Sequence, residues 1–146
     1  MLARVLVLSS FIALGYCKTI NYKDCGSESG TINSIGVTPC DVEPCTLNHG
    51  TNYTVTVNFT SKVNSQTAKT SVHGIIAGVP VPFPVADDCC ANKNLKCPVV
   101  AGSTDVYSNT IFCDPSYPKI KLVVKWEVMD ANSKDIICFE APLQIA

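Results

Sequence analysis

The chain is poor in the residues that most often carry chemistry. Its 146 residues include 2 histidines and 1 tryptophan, and Arg4 is the only arginine. Lacking arginine's planar fork of donors, it has no ready bidentate grip on phosphates or base edges. Nor does a basic surplus stand in for one, since the formal net charge is −1. Nucleic acid is therefore excluded as a partner. His49 and His73 have no acid–base partner that spacing reveals, and the 12 acidic residues form no constellation. Gly26-Ser27-Glu28-Ser29-Gly30 has the outline of a nucleophile elbow, but glutamate stands where the nucleophile belongs. The reading is a binding protein, not an enzyme.

A second long apolar run and a helical apolar stripe are also missing. The one sustained run, Val5 to Leu14, follows a short positive start ending at Arg4 and precedes the small residues Gly15 and Cys17. It falls short of the ~20 apolar residues that span a bilayer. This pattern predicts a signal peptide over residues 1–17, cut between Cys17 and Lys18. Residues 18–146 then form one domain, secreted, with ten lysines against twelve acidic residues, a net charge of −2.

Cysteine is what the chain has in quantity. Without Cys17 an even set of eight remains: Cys25, Cys40, Cys45, Cys89, Cys90, Cys97, Cys113 and Cys138. In a small secreted domain such a set is a disulfide framework, whose pairing spacing alone leaves open. A zinc site is the weaker reading, because oxidised cysteines are not thiolate ligands. No metal and no cofactor are expected.

The rest of the pattern is all-β. In Thr51–Ser61, Tyr53, Val55, Val57 and Phe59 alternate with polar residues. In Ile120–Met129, Ile120, Leu122, Val124, Trp126 and Val128 share one face, and Lys121, Lys125 and Glu127 the other. Further strands are predicted near Thr31–Val37, Lys69–Ala77, Thr104–Phe112 and Ile136–Ala141. Together these predict an immunoglobulin-like two-sheet β-sandwich. Two sequons, Asn52-Tyr53-Thr54 and Asn58-Phe59-Thr60, put both asparagines on the polar face of one strand, where glycans at Asn52 and Asn58 would reach water.

Val79-Pro80-Val81-Pro82-Phe83-Pro84-Val85 loses three backbone donors to proline, so it is an extended edge and not a central strand. It is either an edge protected against aggregation or a stiff apolar lip at a pocket mouth.

At this stretch the chain resembles a known family. Tyr22-Lys23-Asp24-Cys25-Gly26, Pro39-Cys40 through Pro44-Cys45, and His73-Gly74-Ile75 running into Gly78-Val79-Pro80-Val81-Pro82-Phe83-Pro84 look like the Niemann-Pick type C2 (epididymal secretory) proteins. So do Tyr117-Pro118, Ile120 to Trp126, and Cys138-Phe139-Glu140 before Pro142. Those proteins belong to the ML lipid-recognition domains, which hold an apolar ligand in a cavity between two sheets.

The resemblance implies bridges Cys25–Cys138 and Cys40–Cys45, and a third ending at Cys97. Cys90 is assigned to Cys97 and Cys89 to Cys113, with Cys89 and Cys90 open to exchange. It implies a sterol (cholesterol-like) ligand against Val79, Val81, Phe83, Tyr117, Pro118, Trp126, Phe139 and Cys113. Phe139 stands where sterol-binding members have tryptophan, and Cys113 where they have valine, which changes the shape of an apolar pocket. His73, Gly74, Ile75, Ile76, Ala77 and Gly78 are implied to face an anionic membrane surface. The expected protein is a monomeric carrier, secreted or delivered to the lysosome, that hands its lipid to membranes or a membrane sterol transporter. The alternatives within the resemblance are a carrier of fatty acids or semiochemicals and a receptor of microbial lipids. A solid sandwich that binds a protein through its surface is the alternative outside lipid carriage.

Overall fold

The computed structural model describes residues Cys17–Ala146. The expected leader, apart from Cys17, lies outside the described residues. Among the described residues ten strands form two sheets. One sheet holds β1 (Lys18–Thr19), β3 (Gly30–Thr38), β5 (Asn52–Ser61) and β8 (Thr104–Phe112), in the order β1-β3-β5-β8. The other holds β2 (Lys23–Asp24), β10 (Asp135–Ile145), β9 (Lys121–Met129), β6 (Lys69–Ile76) and β7 (Val79–Pro82), with β4 (Cys45–Leu47) parallel to β10. No helix is present among the described residues.

The six predicted strands are all found. Strict alternation decides which side of each goes inward, because successive side chains point to opposite faces. On β5, Tyr53, Val55, Val57 and Phe59 are buried between half-exposed threonines and Asn58. On β9, Leu122, Val124, Trp126 and Val128 are buried while Lys125 and Glu127 stay partly in water. These rows face each other and make the core. The short strands β1, β2 and β4 carry too few residues for a periodic signal. They form because a neighbouring edge offers free backbone groups, as where Lys18 meets Val37 and Phe139 meets Asp24.

The proline stretch is an edge strand, as its missing donors require. It pairs only with β6, setting Gly74 against Val81 and Ile76 against Val79. Ala77 and Gly78 turn the chain between them with positive φ of 51° and 79°, a geometry that costs glycine little.

Three bridges are formed: Cys25–Cys138, Cys40–Cys45 and Cys90–Cys97. The expected fourth, Cys89–Cys113, is not, and both thiols are free and buried. The strand geometry explains this. Cys89 Sγ lies 3.1 Å from Thr70 Oγ1, which is itself 2.7 Å from Tyr107 Oη. Cys113 follows six residues beyond Tyr107 on an extended chain, roughly 20 Å along at about 3.3 Å per residue. It sits by Leu47 and Thr51 instead.

Candidate functional site

Four aromatic rings run through the interior. Trp126 and Phe139 are direct partners across β9 and β10, stacked at 6.2 Å with planes 5° apart. Tyr107 of the facing sheet meets Trp126 edge-on at 6.3 Å, and Tyr22 meets Phe139 in the same way at 6.3 Å. Such edge and offset contacts add to the area that each ring buries. Two of the four, Trp126 and Phe139, were predicted as lining. Tyr22 and Tyr107 were not, because neither stands out by spacing.

Tyr107 ties the sheets together through its hydroxyl. Trp126 Nε1 donates to it at 3.2 Å and Asn109 Nδ2 at 3.0 Å, while Thr70 Oγ1 lies 2.7 Å away. Asn109 Nδ2 also reaches the Ala86 carbonyl at 3.0 Å. Burial pushes the Tyr107 phenol up to about 12, so it stays neutral and its capacity of two accepted bonds and one donated is filled. The buried Asn109, between inward Tyr107 and Ile111 on β8, was the signal that could have exposed this cluster.

Toward the edge the packing is looser. Phe83, just past β7, and Tyr117, between β8 and β9, lie 4.9 Å apart with rings tilted at 57°. Both are partly buried and pack on the core together with Ile76 and Val85. Tyr117 is held from behind, its carbonyl accepting from His49 Nε2 at 2.8 Å. Gly74 makes room for this corner, since a Cβ there would come within 2.9 Å of Leu122 Cδ1 and 3.9 Å of Phe83 Cδ2.

The remaining predicted residues divide. Cys113 is fully buried. Val79 and Val81 are 60% and 43% exposed, and Pro118 is exposed, so they form a rim and not a wall. Of the turn, Gly74 is buried, His73, Ile75 and Ile76 are half-buried, and Ala77 and Gly78 are exposed. Asn52 is exposed and Asn58 half-exposed on the outer face. A cavity of about 90 Å³ is lined by Ile20, Asn21, Val37, Glu43, Pro44, Cys45, Pro142 and Leu143, none of them a predicted lining residue.

Glu127 and Asp135 come together with Cys138, but Cys138 is bridged to Cys25 and offers no thiolate. Burial, with the Glu127 carboxylate beside it, pushes the Asp135 carboxyl up to about 7.

A stapled two-sheet sandwich with a ring-lined interior and an apolar rim at one edge defines a class of proteins that enclose an apolar molecule between sheets. Residues 19–145 match the ML domain family. Over 140 residues the chain is 42% identical to NPC intracellular cholesterol transporter 2 of Danio rerio, covering 96% of this chain and 94% of that one. It is 39% identical to the protein of the same name from Canis lupus familiaris, covering 99% and 97%. The crystal structure of a Niemann-Pick type C2 protein from Japanese carpenter ant superposes with a TM-score of 0.81 at 28% identity, covering 87% of this chain and all of that one. The chain belongs to the Niemann-Pick type C2 group of the ML domain family.

Proposed function

We propose that this protein is a lipid carrier that takes a sterol between its two sheets and delivers it to membranes. The observation that carries this reading is the Phe83–Tyr117 contact, a half-buried aromatic pair over the apolar, ring-lined interior. The relatives named as cholesterol transporters, matched over nearly the whole chain, support it. It is a binding and transport protein, not an enzyme.

The driving force is release of water from apolar surface. A sterol presents one hydroxyl and a large apolar body, so walls without charge suit it. The cavity of about 90 Å³ is far below the ~300 Å³ at which ligand sites begin. That cavity shares no residue with the Phe83–Tyr117 corner or with the ring cluster, so in this reading a ligand makes its own room, entering as Phe83 and Tyr117 swing outward. At about −0.3 kcal/mol per heavy atom, a ligand of about 28 atoms binds near −8 kcal/mol, about micromolar. That strength permits release.

The rim supplies the membrane contact. Ala77, Gly78, Val79 and Val81 are exposed beside the gate, so docking this edge on an anionic bilayer lets cargo cross without meeting water. The carrier acts as a secreted or lysosomal monomer, and a membrane sterol transporter is a fitting acceptor. Lipid extraction and mass spectrometry of the secreted protein, with titration of a fluorescent sterol, test the reading. Bound sterol and saturable binding are expected; no lipid and no binding would overturn it.

A further inference from the structure

The outer face of the sheet β1-β3-β5-β8 carries almost no charge. Neither β3 nor β5 contains a lysine, aspartate or glutamate, and on β1 the one charged residue, Lys18, is in register with inward Val37. On β8 the one charged residue, Asp105, is in register with inward Phe59. The facing sheet differs, with Lys121, Lys125 and Glu127 on β9 alone. Two large apolar side chains interrupt this ladder of threonine, serine and asparagine: Val106 at 53% and Phe112 at 47% exposure. Each stands directly across the strand pair from a sequon asparagine, Phe112 opposite Asn52 and Val106 opposite Asn58. Side chains so paired have Cβ atoms about 4.5–5.5 Å apart, close enough for one sugar ring on the asparagine to lie over its partner. At Asn58 the amide oxygen accepts from Asn33 Nδ2 at 3.0 Å, which leaves Nδ2 as the attachment atom.

We propose that N-linked glycans at Asn52 and Asn58 cover this face, the first N-acetylglucosamine of each lying on Phe112 and Val106. Passage through the secretory route supplies the donor, a lipid diphosphate oligosaccharide. The sugar C1–oxygen bond to the diphosphate breaks, the asparagine Nδ2–C1 bond forms, and the amide proton leaves. The ring's C–H face then meets the π-face of Phe112, which is its electronegative side. The glycans thereby replace water on an apolar pair that charge does not protect. The inference is independent of which lipid the interior holds.

The test uses the full chain secreted from eukaryotic cells, with glycopeptide mass spectrometry at both asparagines. An endoglycosidase then trims each glycan to one N-acetylglucosamine. The trimmed protein is expected to melt several degrees above the N52Q variant. In a Phe112→Thr background that difference is expected to fall by more than half. Unoccupied asparagines, equal melting, or a difference that survives Phe112→Thr unchanged would overturn the proposal. So would a glycan-free variant that keeps its stability by dimerising through this face.

Discussion

Phe83 rests against Tyr117 with ring centroids 4.9 Å apart, joining the end of the proline-rich edge to the loop before β9. Neither ring is fully buried, so parting them costs less than disrupting the rings behind.

Phe83→Ala should therefore weaken sterol binding without unfolding the protein. A partly buried aromatic contributes about 1.5 kcal/mol through area, roughly tenfold in affinity. Titration with a fluorescent sterol reads the affinity, and a urea midpoint close to wild type shows that the fold is kept. Unchanged affinity would place the ligand elsewhere.

Trp126 behaves differently, because only 1% of it is exposed and it lies between Phe139 and Tyr107. Trp126→Ala removes a buried ring at ~3–5 kcal/mol, a large share of a domain's ~5–15 kcal/mol. Denaturant unfolding should show this loss first. Trp126→Phe keeps a ring and takes from Tyr107 only one donor, at about 1 kcal/mol.

The Cys25–Cys138 bridge spans 113 residues, whereas Cys40–Cys45 spans 5. In the chain-entropy description these stabilise by about 5 and about 2 kcal/mol. The double variant C25S/C138S should thus lose more than twice the stability lost by C40S/C45S. Equal urea midpoints for the two would contradict that description.

Cys89 and Cys113 are each 0% exposed, and burial pushes both thiols up. Neutral and shielded, they should resist an alkylating reagent in the native protein. Unfolded without reductant, a chain beginning at Lys18 should take up two equivalents by mass spectrometry. Uptake of none would mean a fourth bridge.

Asp135, raised to about 7 by burial and by Glu127, binds its proton more tightly folded than unfolded. Its contribution is full below the ordinary carboxylate value of about 3.9 and is lost as pH rises through about 7. Partial burial also raises Asp24 and Asp130, but the hydrogen bonds they accept outweigh it and lower both, so they act oppositely at strong acid. Between pH 5 and 8 the urea midpoint should fall, and Asp135→Asn should flatten that slope. An identical slope in the variant would remove Asp135 as its source.

Much of this protein was legible from periodicity. The rows Tyr53 to Phe59 and Leu122 to Val128 follow from strand period alone, since one buried face dictates which residues turn inward. The edge position of Val79–Pro82 followed from the donors proline lacks. Local sequence thus determined the six long strands, their inward faces and the edge, whereas β1, β2 and β4 exist only through the strands they pair with. Tertiary structure alone decided the free state of Cys89 and Cys113, the Tyr107 cluster, and the pairing of Asn52 with Phe112. Each of these depends on register between distant strands. A residue's period says which face it occupies, but only the folded pairing says which neighbour it meets there.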